Sequence, residues 1–378
     1  NILNMTYTHN MLFAFTVLSV FTLQSCKDDS IDTALPGLGY TIPASYSTLA
    51  NVNFDGQTQR LNQFLELKNY MKTANASGVV LNENRLLAMF ENNSAAADWA
   101  GTYQDSKQIK NKTLAAVQDD FTSLLNSLVA SSKSTTAHSE GTAGVISSSD
   151  NAKSYLLNGN GVDEAQVFEK SLMGAFIAYQ INEVYTAPGK MEVDNIAITE
   201  GKGTAMEHHW DEAFGYFGVP TTFPETKDNL LFWGSYSEKR DALLSTNDEI
   251  MTAYLSGRAA ITNKDLVNRD ASIIKLRSAL EKVSASSAIH YLNSSIANFD
   301  DWALKGHALA EAVGFIYALQ FNGDKKISTD EVNELLVLIG GSASLTDLNF
   351  YGVTITDIES ATTQLSTLYG LDSVKDAL

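Results

Sequence analysis

From Leu61 to Tyr369 the apolar residues of this chain recur three and four positions apart, and that spacing constrains the fold more than any other property. Residues so spaced line one face of an α-helix, and a helix with one apolar face must bury it against another element. Leu61, Phe64, Leu65, Leu67, Tyr70 and Met71 predict a helix near 55–75. Leu86, Leu87, Met89 and Phe90 predict a second, and Leu114, Val117, Phe121, Leu124, Leu125 and Leu128 place a third within 109–130. Further helices are expected over 162–185, 204–217, 240–257, 263–298, 301–321, 328–339 and 356–369. Alternating strand patterns are scarce, and five prolines in 378 residues leave long helices uninterrupted. The expected fold is therefore all-α, a multi-helix bundle of about ten helices. Residues 131–153 are rich in Ser, Thr and Gly and carry no apolar stripe. They are expected as a flexible loop between two packed halves.

Met11–Leu23 is a largely apolar run, too short for a membrane-spanning helix, which needs about 20 residues, and of the right length for the core of a signal peptide. It leads into Leu23-Gln24-Ser25-Cys26, which resembles the sequence at which bacterial lipoproteins are cleaved and acylated on cysteine. The expected organisation is a signal peptide over 1–25, a lipid-anchored tether over 26–47 and a helical domain over 48–378. Lys27-Asp28-Asp29 resembles the export signal that sends lipoproteins to the outer face of the outer membrane. Cys26 is the sole cysteine, so the mature fold has no disulfide and no free thiolate for zinc or catalysis. Acidic residues outnumber basic ones by 44 to 26, for a formal charge of −18. A nucleic acid would have to approach against that field, which argues against such a partner.

Two segments carry the chemistry. In the first, Thr204 and Glu207 form a capping-box pattern that should start a helix, and Gly218 should end it. Along that helix Glu212 lies three residues from His209 and four from His208, so it can share a surface with either. In the second, Trp302–Leu319 is apolar nearly all round and should be central. It places His307 and Glu311 on one face, beside a stripe of small residues, Ala303, Ala310, Gly314 and Ala318, that should let another helix approach closely. His290 is similarly set among Ser286 and Asn293. Two helices that both present His and Glu inward can build a centre for iron, zinc or another divalent metal, with His209, Glu212, His307 and Glu311 converging and His290 and His208 nearby. The same groups can instead close a hydrogen-bond network. Residues 320–331 are similar to a calcium-binding EF-hand loop but have Gln320 and Lys325 where the first Asp and the turn glycine belong. Ser328 and Glu331 are more simply a capping box.

Several strings carry a family resemblance: EGKGTAMEHHWDEAFGYFGVP (200–220), FWGSYSEKRDALL (232–244), GRAAITNKD (257–265), AIHYLNSSIANF (288–299) and EAVGFIYALQFNGDKKIS (311–328). They resemble the Bacteroidetes lipoproteins grouped as domain of unknown function 4856. The chain is also similar in kind to the imelysin-like lipoproteins, helical proteins linked to iron uptake that carry a His-x-x-Glu motif. Here His209-Trp210-Asp211-Glu212 matches it, with Glu207 in place of the glycine usual two residues before the histidine. The resemblance implies a non-enzymatic cell-surface lipoprotein that binds iron, another metal or haem for an outer-membrane transporter. A glycan-binding lipoprotein and a metal-dependent enzyme are the alternatives.

Overall fold

Among the described residues the sequence periodicity is realised as twelve α-helices and one short hairpin. A computed structural model describes residues 38–378; the signal-peptide, Cys26 and Lys27-Asp28-Asp29 expectations lie outside those residues. The helices are α1 (Asp55–Lys72), α2 (Glu83–Glu91), α3 (Gln118–Ser132), α4 (Glu164–Leu172), α5 (Pro188–Met191), α6 (Ala205–Phe217), α7 (Phe232–Leu244), α8 (Thr246–Thr262), α9 (Leu266–Ala297), α10 (Trp302–Ala318), α11 (Thr329–Gly340) and α12 (Ile355–Tyr369). Among the described residues no helix is long and apolar enough to cross a membrane.

Two helices form the centre. α10 is apolar nearly all round, as expected, and α4 is buried along its whole length. They pack closely because small residues face each other. A Cβ on Gly314 would stand 2.3 Å from Lys170 Cβ, and one on Gly174 would stand 2.5 Å from Ala318 Cα. The small-residue stripe of α10 thus has the role its sequence suggested. The long helix α9 packs along α8, α10 and α12 and closes the other side.

Beyond Leu172, α4 widens into π-helical turns over Met173–Ala178 and Gln180–Tyr185. Such turns disturb the internal ladder and leave backbone carbonyls in need of donors. Trp233 Nε1 donates to the Met173 carbonyl at 3.0 Å, and the Leu114 N–H donates to that of Ala175 at 2.9 Å. Buried wide turns are therefore held by their neighbours rather than by themselves.

Several boundaries differ from expectation. The helix expected over 240–257 is two, α7 and α8, divided at Ser245, whose backbone is left-handed (φ 51°). Serine gives no sequence warning of such a turn; Thr246 holds it by donating its hydroxyl to the Ser237 carbonyl at 2.8 Å. The stretch 131–153, expected as a loop, contains the end of α3 and strand β1 (Gly144–Ser147), which pairs antiparallel with β2 (Ser154–Leu157). Nor does it divide the body, since α3 packs on α4 and the described residues, 38–378, all fall in one unit. The end of the stretch expected as a tether over 26–47 is packed into the body. Tyr46 is fully buried, its ring stacked on Phe214 at 3.8 Å and its hydroxyl donating to Asp211 at 2.5 Å. The buried Arg258 guanidinium pairs with the same carboxylate at 3.0 Å, which explains why so polar a contact is tolerated in the core.

Candidate functional site

The sequence-predicted site residues fall into separate networks. On α6, His209 Nδ1 meets Glu212 Oε2 at 2.9 Å, so the His-x-x-Glu pair is formed. Its other carboxylate oxygen accepts from Gln57 of α1 at 2.9 Å and from the Tyr185 hydroxyl at 3.3 Å. Burial pushes the Glu212 carboxyl up, but hydrogen bonds from His209 and Gln57 outweigh it and hold it below its usual range. His208 is beside this pair, and burial lowers its pKa.

On α10, His307 is held differently. Its Nδ1 meets Asp163 Oδ2 at 2.8 Å, its Nε2 faces Glu311 Oε2 at 3.6 Å, and its ring stacks on Tyr155 at 3.9 Å. The two carboxylates therefore address opposite nitrogens of one imidazole and do not converge on a common point. Asp163 also caps α4, accepting from the Gln166 N–H at 3.2 Å, so one carboxylate both starts a helix and orients the ring. His290 lies beside Arg240 and the Leu378 backbone, and burial lowers its pKa.

The shared centre of His209, Glu212, His307 and Glu311 is thus not formed. Among the described residues no three His, Cys, Asp or Glu side chains are placed to hold a metal ion. The physical reason is packing: α6 rests on α1 and α8, while α10 rests on α4 and α9. Helical spacing shows which residues share a face, not which faces meet. In the 320–331 loop, Glu331 closes the capping box with Ser328, Asp324 pairs with Arg277, and the Asn322 amide donates to Glu281 at 2.9 Å. Replacing His307 by Gln should therefore destabilise the protein by about 1–3 kcal/mol, equally with and without added divalent metal. Urea denaturation in both conditions checks this; a cost seen only in metal would restore the metal reading.

The structure does gather chemistry where the sequence reading did not look. A polar cleft of about 300 Å³ opens between α1, α4, α7, α9 and α10, with His307 and Glu311 on its wall. At its floor Glu169 and Lys170 of α4 are both buried. Glu169 meets Lys170 at 2.6 Å, Lys72 at 2.8 Å and Lys68 at 3.4 Å; Lys170 also reaches Glu311 at 3.3 Å. Lys239 of α7 lies 4.4 Å over the Tyr236 ring and has no carboxylate partner among the described residues. The Tyr236 and Tyr291 hydroxyls meet at 3.2 Å. Behind them Arg240 is buried, with its Nε lacking a hydrogen-bond partner.

Charge is unevenly distributed here. Four ammonium groups face the carboxylates of Glu169 and Glu311, and cations stay in excess even when Asp163 behind His307 is counted. Burial lowers the pKa of both Lys68 and Lys239, the sign of cations short of compensation. One signal for this site was present in the sequence. Glu169-Lys170 is an adjacent charged pair flanked by Val167, Phe168, Leu172 and Met173, a surrounding in which an ion is costly unless paired.

No curated protein and no solved structure matches this chain. A family profile does, over residues 43–372, and that span includes every helix and the whole cleft. The chain belongs to the family described as domain of unknown function (DUF4856).

Proposed function

We propose that this protein is a non-enzymatic, lipid-anchored lipoprotein of the cell surface whose lysine-lined cleft binds a small anionic ligand. The observation that carries the reading is the surplus of ammonium groups in the cleft, set in a chain of formal charge −18. A half-buried cation without a counter-ion is costly, and a carboxylate, phosphate or sulfate on a ligand supplies that counter-ion. Glu169 and Glu311 are both held by lysine, so they position the ammonium groups rather than stand free as bases. The cleft volume suits a compact molecule, and the Tyr236 and Phe232 rings give its carbon skeleton an apolar wall. Cargo delivery to an outer-membrane transporter fits the lipoprotein leader. Iron or another metal held directly by His and Glu has less support, because those pairs are spent on separate networks.

The test is a thermal-shift and calorimetric screen of citrate, glucuronate, phosphate and sulfate against the purified protein. At least one should raise the melting temperature in proportion to its concentration. Lys239→Ala combined with Lys68→Ala should weaken that ligand by about tenfold or more while leaving the fold intact, as expected for lost charge-assisted hydrogen bonds. Binding that persists unchanged in the double variant, or a failure of all four anions at millimolar concentration, overturns the reading.

A further inference from the structure

The described chain enters the body beside its most apolar exposed surface. Tyr40 donates its hydroxyl to Asp265 at 3.0 Å, and Asp265 caps the start of α9 by accepting from the Asn268 N–H at 3.0 Å. Directly after this cap stand Leu266 and Val267, 46% and 78% exposed. Over the same corner runs the connection between α5 and α6. It is pinned by Asn195, which donates to the Ile261 carbonyl at 2.8 Å, and by Lys264, whose ammonium group contacts the Asn195 carbonyl. Its tip is closed by a backbone bridge between Thr199 and Gly203, and the Gly201 N–H donates to Asn51 at 3.1 Å. This connection holds Ile196 and Ile198 outward, 83% and 72% exposed.

Among the described residues Ile196, Val267 and Ile198 are the three most exposed large hydrophobic side chains, and all three lie at this corner. Ile274, 60% exposed, continues the strip two turns along α9. Asp194, itself exposed, accepts from the Ile196 N–H at 2.9 Å, and Lys202 and Lys264 are exposed at the rim with Glu200 and Asp270. A rigid loop that keeps isoleucines in water is a costly arrangement unless something covers them.

We infer that this corner rests on the lipid surface that holds the anchor, with Ile196, Ile198 and Val267 entering the headgroup region. The inference depends on the lipoprotein reading above, through Cys26. Residues 27–37 separate that cysteine from the described body, and at full extension they reach about 40 Å at most. A body of this length is roughly 50 Å across. The connection is thus shorter than the body, and the face carrying Tyr40 stays nearest the bilayer. Apolar side chains held outward inside a rim of charges of both signs can enter the interface of a bilayer, where Lys202 and Lys264 can reach headgroup phosphates. The anchor supplies the attachment, and the corner sets the orientation.

The test uses the mature acylated chain in phosphatidylethanolamine–phosphatidylglycerol vesicles carrying headgroup-level nitroxide lipids. Cys26 is the sole cysteine, and acylation consumes its thiol, so a single introduced cysteine takes a fluorophore at one place. Ile196→Cys and Val267→Cys, both exposed, are compared with Val80→Cys, 56% exposed in the connection between α1 and α2. Quenching at positions 196 and 267 should exceed that at 80 severalfold. Equal quenching at all three in vesicle-bound protein overturns the orientation and leaves the anchor standing. Fluorophore attached at Cys26, with protein left in solution, overturns the lipoprotein reading and this inference together. Concentration-dependent self-quenching at 196 without vesicles would assign the corner to a second copy of the chain and refute the lipid assignment.

Discussion

Replacing Glu169 by Ala is expected to cost about 3–5 kcal/mol, the range for leaving a buried ion without its partner. That is a large part of the 5–15 kcal/mol typical of a folded domain. The reason is the number of cations this one carboxylate serves: Lys170, Lys72 and Lys68 lie 2.6, 2.8 and 3.4 Å away. Without it the buried Lys170 keeps only Glu311, at 3.3 Å. Lys170→Met should be milder, because Glu169 would still have two lysines with access to water. Urea denaturation of the three proteins measures the order; equal stability of Glu169→Ala and the parent would show that the cleft ions are not coupled. The pH dependence has a definite sign. Burial pushes the Glu169 carboxyl up, but Lys170, Lys72 and Lys68 outweigh it and hold it well below the ordinary value of 4.5. A depressed carboxylate stabilises the fold above its unfolded pKa, and the contribution is lost as pH falls below it. The gap between parent and variant should therefore be full at neutral pH and narrow as pH drops below about 4.5. Acetate, which can enter the vacated place, should recover part of the loss.

Gly314→Val should be comparably damaging for a different reason. Its Cβ would lie 2.3 Å from Lys170 Cβ and 3.0 Å from the Ser171 backbone nitrogen. These atoms belong to a buried helix and cannot swing aside as a side-chain tip would. Overpacking of this kind typically costs 1–3 kcal/mol, and with backbone in the way about 3 kcal/mol or more is expected. Gly189→Ala is the control, since nothing lies within 4 Å of its added methyl group. It should leave stability unchanged or slightly raised through a less flexible unfolded chain. Thermal melts of the two variants side by side check the contrast, and a Gly314→Val protein as stable as the control would show that α4 and α10 can move apart freely. Because Lys170 forms the contact, the variant should also weaken anion binding in the cleft.

Much of the helical architecture was legible because it is written locally. The capping boxes at Thr204 and Ser328 and the stop at Gly218 all depend on residues within a turn of one another. Ser245 and the hairpin of β1 and β2 were missed for the converse reason. A left-handed serine has no distinctive neighbours, and four-residue strands are too short for alternation to show. The site was legible only in pieces. Both His–Glu pairs face one another along their own helices, as the spacing required, yet Glu212 found Gln57 and Tyr185 while His307 found Asp163. Lys68 and Glu169 lie about a hundred positions apart, and nothing in either segment announces the other. Pairing between distant faces is decided by the whole packing arrangement, which a single sequence does not display.

The wide turns beyond α4 also act as a phase adjustment. A π-helical turn accommodates one residue more than an α-turn, and each residue advances a helix by about 100°. Taking one residue out of Met173–Ala178 would let the backbone relax to an α-helix, but everything after it would swing by that angle. Gln180 would leave the Lys112 carbonyl, Asn182 would leave that of Phe321, and Tyr185 would turn away from Glu212. The length of this segment is therefore set by the direction in which its far end must look, and the two ends of one buried rod are aimed independently at the lysine cleft and at the His209–Glu212 pair.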